Sequence, residues 1–113
     1  MNSILAIKAL GALAQEHRLE AFRRLVQAGA DGLSAGALAE ALRVPNSSLS
    51  FHLAQLSHAG LIVQQRVGRS LIYRADYAAM DALVGYLMEN CCNGAVCAPA
   101  SACSPKNEER NAA

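Results

Sequence analysis

The sequence predicts a mainly α-helical fold with one β-hairpin wing, a winged helix-turn-helix that assembles as a homodimer. Three observations predict it. Ala and Leu dominate a composition with only 4% aromatic residues and no Trp, which favours helices. Between residues 34 and 75, a short helical segment, a proline turn, a second helical segment and two β-rich runs follow one another. The first and last helical segments each carry an apolar stripe, and a chain of 113 residues is small enough to gain from pairing.

Each element has its own local cause. Residues 3 to 14 read as an apolar helix with Ile4, Ile7, Gly11 and Ala14 on one stripe. Residues 17 to 28 form an amphipathic pattern in which Leu19, Phe22, Leu25 and Val26 face inward and Arg23 and Arg24 face water. The run GADG at 29 to 32 breaks it. Ser34 suits the N-cap of a short helix over 35–42, with Ala35, Leu38, Ala39 and Leu42 apolar. RVPN then turns the chain, and Pro45 suits the first position of the next helix, which runs from about 46 to 58. Leu49, Leu53 and Leu56 point that helix into the core, and Gly60 ends it. LIVQQR and SLIYR read as strands joined through VGR, where Gly68 permits the turn. Asp76 caps a last helix over 77–90, and the Gly-, Pro- and Ser-containing remainder is expected to be disordered.

Charge separates the two ends of the chain. Residues 1 to 75 hold eight Lys/Arg against four Asp/Glu, whereas residues 76 to 113 hold two against five. A basic body and an acidic end suit a body that meets a polyanion. No apolar run approaches the ~20 residues that span a bilayer. The N-terminal stretch lacks the basic region of a signal peptide, and Lys8 interrupts its apolar run, so it is expected to remain as a helix in a cytoplasmic protein with no membrane partner.

The helical segments and the hairpin predict that this polyanion is DNA. A helix fits the major groove, and short polar side chains let its backbone approach the base edges. Asn46, Ser47, Ser48, Ser50 and His52 supply donors and acceptors along such a helix, while Leu49 and Leu53 hold it to the core. At the hairpin tip, RVGRS presents Arg66 and Arg69 to phosphate or to a minor groove. Residues 1–90 therefore make up a DNA-binding and dimerisation domain, and residues 91–113 a flexible tail.

The stretch NSSLSFHLAQLSHAGLIVQQRVGRSLIYRAD resembles the core of the ArsR/SmtB family of metal- and metalloid-responsive repressors, and the likeness reaches back to LGALAQEHRLEAFRRLV. The resemblance implies a homodimer joined through its first and last helices, bound to an inverted-repeat operator and released by an inducer. By position it assigns Ser47, Ser48, Ser50 and His52 to base contacts and Arg66 and Arg69 to the wing. Phe51 departs from the polar residue often found at its position; it either meets a thymine methyl or packs against a neighbouring loop. Many arsenic-responsive members carry Cys-Val-Cys before the recognition helix, but the matching stretch here, GLSAGALAE, has no thiol. Zinc-responsive members use Asp and His on the last helix, and DYAAMDALVGYLMEN has no His.

All four cysteines, Cys91, Cys92, Cys97 and Cys103, fall within NCCNGAVCAPASAC. In a reducing cytosol, clustered thiols are more often ligands than disulfides. Their placement resembles that in arsenic repressors whose site lies at the end of the last helix. Trivalent arsenic or antimony takes three thiolates, and Cys91, Cys92 and Cys97 can converge where Asn93 and Gly94 fray the helix. Pro99 stiffens the path to Cys103, which is a substitute ligand or a bystander. No organic cofactor is implied.

Rival functions are weaker. A structural zinc site usually shows two separated C-x2-4-C pairs, which this spacing lacks, although zinc or cadmium can still use soft thiolates. A redox switch through Cys97 and Cys103 is a further alternative. A thiol-dependent reductase would need an activated nucleophile, and the sequence has no phosphate-cradling glycine loop and no Cys followed six residues later by Arg.

Overall fold

The computed structural model describes residues 1–94. Five α-helices and a three-stranded sheet follow in the order α1 (Ser3–Leu13), α2 (Glu16–Ala28), a 3-10 turn (Gly29–Asp31), β1 (Leu33–Ser34), α3 (Ala35–Leu42), α4 (Asn46–His58), β2 (Ile62–Val67), β3 (Ser70–Ala75) and α5 (Tyr77–Leu87). A further 3-10 turn, Cys91–Gly94, follows α5.

Side chains cap four of the five helices. Asn2 Oδ1 accepts from Leu5 N at 2.9 Å, Gln15 Oε1 from Arg18 N at 2.9 Å, Ser34 Oγ from Ala37 N at 3.1 Å and Asp76 Oδ1 from Ala79 N at 3.1 Å. Ser34 and Asp76 thus act as the sequence predicts. Helix α4 has the expected bounds, 46–58, with Pro45 at its N-cap rather than at its first helical position. The extended backbone of Pro45 ends the turn, and no side chain caps the helix.

The sheet is antiparallel in the order β1-β3-β2. Ile62 pairs with Ala75, Gln64 with Tyr73 and Val67 with Ser70, so the hairpin closes through Gly68 at φ +63°. Strand β1, too short to show in the sequence, pairs Leu33 with Tyr73. It depends on Gly32, which sits at φ +65° and where an added Cβ would collide with the Tyr73 carbonyl oxygen. Three hydrogen bonds tie the elements around the sheet together: Arg74 Nε on β3 donates to Ala30 O in the 3-10 turn at 2.6 Å, Asp76 N to Leu61 O at the open end of the hairpin at 2.9 Å, and Tyr77 Oη on α5 to Val26 O on α2 at 2.7 Å.

Leu25, Leu38, Leu49, Leu53, Leu56 and Leu61 form the centre of the core, with Phe22, Ile62 and Leu83 around them. The inward face of α2 departs from expectation. Leu19 is 45% exposed, and Ala21 joins Phe22 and Leu25 inside. Arg18, half-buried on the same side of α2 one turn earlier, donates its Nε–H to Ala12 O in the last turn of α1 at 2.7 Å. A charged residue can occupy an inward position when a backbone carbonyl accepts from it.

Helix α1 packs the small side chains Ala6, Ala9 and Ala12 inward and leaves Ile4 75% and Ile7 69% exposed. Leu10 is exposed beside them, and Val84 and Leu87 are exposed on α5, which packs against α1. The apolar stripes of the terminal helices therefore face outward. Helix α5 ends at Leu87, three residues short of the expected end. Glu89 N bonds Tyr86 O and Cys91 N bonds Met88 O in tighter i→i+3 turns, and Asn90 adopts φ +58°. Asn tolerates this left-handed conformation better than most residues, which makes it a natural stop.

Candidate nucleic-acid interface

Helices α3 and α4 with the turn between them form the helix-turn-helix, and β2–β3 forms the wing. Arg43 ends α3 in the left-handed conformation at φ 58°, and its N–H caps the Ala39 and Glu40 carbonyls. That turn reverses the chain in the three residues 43–45. Leu49, Leu53 and Leu56 then lock α4 against the core, which fixes what its other face presents.

That outward face carries Asn46, Ser47, Ser48 and Ser50, all exposed, followed by Phe51 and Ala54. Short side chains over the first half of the helix leave its backbone accessible to a groove. Arg66 and Arg69 are both exposed, Arg69 in the hairpin turn beside Gly68 and Arg66 near the end of β2. Gln64 and Arg66 alternate onto one face of the strand. A cleft of about 230 Å³ separates α4 from this face, lined by Ser50, Ala54, Ser57, His58, Gln64 and Tyr73. Recognition helix and wing thus form one continuous, largely polar surface.

His52 lies at the margin of that surface. It is half-buried, its ring 5.6 Å from that of His17 on α2 and 5.9 Å from that of Phe51. Its Nδ1 is buried without a hydrogen-bond partner. Burial, with Arg18 and His17 nearby, lowers its pKa below the ordinary histidine value. The sequence places His52 on the recognition helix but gives no sign of this contact with α2, because His17 and His52 meet only through tertiary packing.

Of the thiols, Cys91 and Cys92 lie in the 3-10 turn beyond α5. Cys92 adopts φ +60° and is disulfide-bonded. Cys97 and Cys103 fall outside the described residues. Among the described residues no group of three or more His, Cys, Asp or Glu side chains could hold a metal, so a three-thiolate site needs at least one residue beyond 94. No described helix is long and apolar enough to cross a membrane.

Comparison with known proteins agrees with this geometry. A family model described as a helix-turn-helix domain matches residues 13–65. No curated protein matches the chain. Among solved structures, the chain is similar to an ArsR-like transcriptional regulator from Rhodococcus sp. RHA1, with 31% identity and TM-score 0.68 over 74% of this chain and 76% of that one. It is also similar to the homodimeric winged helix-turn-helix DNA-binding domain of a possible ArsR-family regulator from Mycobacterium bovis. There the identity is 28% and the TM-score 0.60, over 76% of this chain and 80% of that one. A possible transcriptional regulator for arsenical resistance matches with 31% identity and TM-score 0.57, covering 71% and 80% of the two chains. With its recognition helix, its basic wing and these relatives, the chain belongs to the ArsR family of winged helix-turn-helix transcriptional regulators and is a DNA-binding regulator, not an enzyme.

Proposed function

We propose that this protein is a homodimeric, cytoplasmic repressor that binds an inverted-repeat operator and leaves it when trivalent arsenic or antimony is held by its C-terminal thiolates. Metalloid-resistance genes are the expected targets. The observation that carries the inducer assignment is the position of the thiols. Every cysteine of the chain follows α5, and the first two begin four residues after Leu87, at the end of an outward apolar face. Soft thiolates suit a soft ion, and Cys91, Cys92 and Cys97 would hold it, with Cys103 as a substitute. Binding is coupled to thiol ionisation and so releases protons.

The exposed apolar faces of α1 and α5 support the homodimer, as does the dimeric relative. Such a dimer sets two recognition helices about 34–36 Å apart, one turn of DNA. Asn46, Ser47, Ser48 and Ser50 face the bases, His52 reaches them only from the margin, and Arg66 and Arg69 meet phosphate. Because the thiols adjoin the pairing face, ligand and operator favour different arrangements of the dimer. A coupling of about 1–3 kcal/mol lowers operator affinity about 5–150-fold.

Titrating the dimer–operator complex with arsenite, in a thiol-free reductant, tests this. Release is expected for the parent protein and for Cys103→Ser, and loss of response with retained DNA binding for Cys91→Ser or Cys92→Ser. Release from the triple Cys91/Cys92/Cys97 serine variant would overturn the assignment. The disulfide at Cys92 favours a second reading, in which thiol oxidation itself changes DNA affinity. An oxidant that releases DNA when arsenite does not would select it.

A further inference from the structure

We propose that Phe51 reads sequence by packing its ring on the C5-methyl group of one thymine in each half-site, and that this contact carries the main base discrimination of the recognition helix. The inference rests on α4 being the helix that enters the major groove.

Phe51 is 59% exposed, although a benzyl side chain ordinarily gains from burial. Phe51 is not among the residues packed into the core or against it, and its ring contact is with its own neighbour on α4, His52. It lies on the outward face among Ser47, Ser50 and Ala54, all smaller, so it projects furthest from the helix. It also lies in the first half of α4, where a recognition helix meets the base edges. Its ring stands at 63° to that of His52, with centroids 5.9 Å apart, an edge-to-face contact that holds the side chain in place.

The chemistry then selects the target. A phenyl ring offers no donor or acceptor, and the thymine methyl is the apolar group that the major-groove edge presents. Serine hydroxyls both donate and accept, so Ser47, Ser48 and Ser50 fit several bases and discriminate weakly among them. Phe51 is the large apolar side chain on this face.

The test uses the full chain and a duplex selected with it from a random DNA pool. Each thymine of that duplex is replaced in turn by deoxyuridine, which removes the methyl and leaves base pairing intact. One symmetric position is expected at which the substitution weakens binding by about fourfold per methyl, near the gain from burying one methyl-sized group. In Phe51→Ala the parent duplex should bind more weakly and that deoxyuridine effect should vanish, while Phe51→Leu should retain part of it. A flat deoxyuridine scan with the parent protein overturns the proposal, as does an effect of undiminished size in Phe51→Ala. In both cases the selected duplex still shows the protein to be a sequence-specific DNA binder, so the operator reading survives. If selection enriches no sequence, the operator reading fails together with this one.

Discussion

Helices α1 and α4 are built as opposites. Helix α1 buries Ala6, Ala9 and Ala12 and exposes Ile4, Ile7 and Leu10, whereas α4 buries Leu49, Leu53 and Leu56 and, Phe51 apart, exposes small polar side chains over its first half. Both choices suit the partner that the outward face awaits. Large apolar side chains facing water are stabilised only by another apolar surface, which a second copy of the chain supplies. Small polar side chains facing water leave a backbone that can approach base edges, and the leucines beneath hold that helix rigid while it does so. Size on the inside of one helix and on the outside of the other therefore separates the assembly face from the recognition face.

The largest test breaks the assembly face. Ile7→Asp should convert the dimer to a monomer in sedimentation experiments. Losing one Ile costs about 1.5–3 kcal/mol of burial, and a two-fold interface counts it twice, for about 3–6 kcal/mol. Operator binding should fall with it, while the far-UV circular dichroism of the subunit stays unchanged. An Ile7→Asp variant that remains dimeric would mean that α1 is not the pairing surface.

Leu53→Ala reverses the logic on α4. Leu53 is fully buried, so truncation should cost about 2–5 kcal/mol of unfolding free energy by denaturant titration. The dimer should persist wherever the subunit remains folded. Equal losses from Leu53→Ala and Ile7→Ala in a monomeric background would erase the contrast between the two helices.

A smaller effect belongs to the wing. Arg69→Ala should weaken binding to all duplexes alike and lower the salt slope of log K by about one, as loss of one phosphate contact does. A change in preferred bases, with the slope unaltered, would move Arg69 from the backbone to the minor groove.

The ease of predicting each region follows from where its information lies. Helix α4 could be bounded from sequence because Pro45 and Gly60 punctuate it and three leucines repeat at helical spacing. The wing was legible through Gly68 and its flanking β-rich runs. Leu19 departs from the expected inward face of α2 because that face, set by Ala21, Phe22 and Leu25, runs through Arg18, and hydropathy cannot foresee the Ala12 carbonyl that receives its guanidinium. Strand β1 was invisible because two residues carry no pattern; it exists through Gly32 and its approach to Tyr73. The early end of α5 at Leu87 was not legible, since Met88 and Glu89 carry no stop signal; the left-handed residue that turns the chain away, Asn90, comes three residues later. For the candidate site, the serines and arginines were local features, whereas the His17–His52 contact joins residues 35 apart in the chain.

That contact supports the smallest prediction, and it decides to which face of α4 His52 belongs. Its Nδ1 is buried without a partner, and burial, Arg18 and His17 all favour the neutral ring, so its pKa is lowered in the native state. In the unfolded chain a histidine protonates near 6.5. As pH falls below about 6.5, the unfolded state therefore takes up a proton that the native state resists, and stability declines until the lowered native pKa is passed. Above about 6.5 the contribution is fully present. His52→Gln should flatten this part of the stability curve below about pH 6.5, relative to the parent protein measured with the same denaturant series. His17→Gln should flatten it less, because His17 is the last of the three influences on His52. If His52 belongs to the inner face, His52→Gln changes this acid limb and leaves base preference in the selected duplex intact. If it instead shifts base preference and leaves the acid limb as it was, His52 is a member of the recognition face and the neutral, buried ring is the wrong description of it.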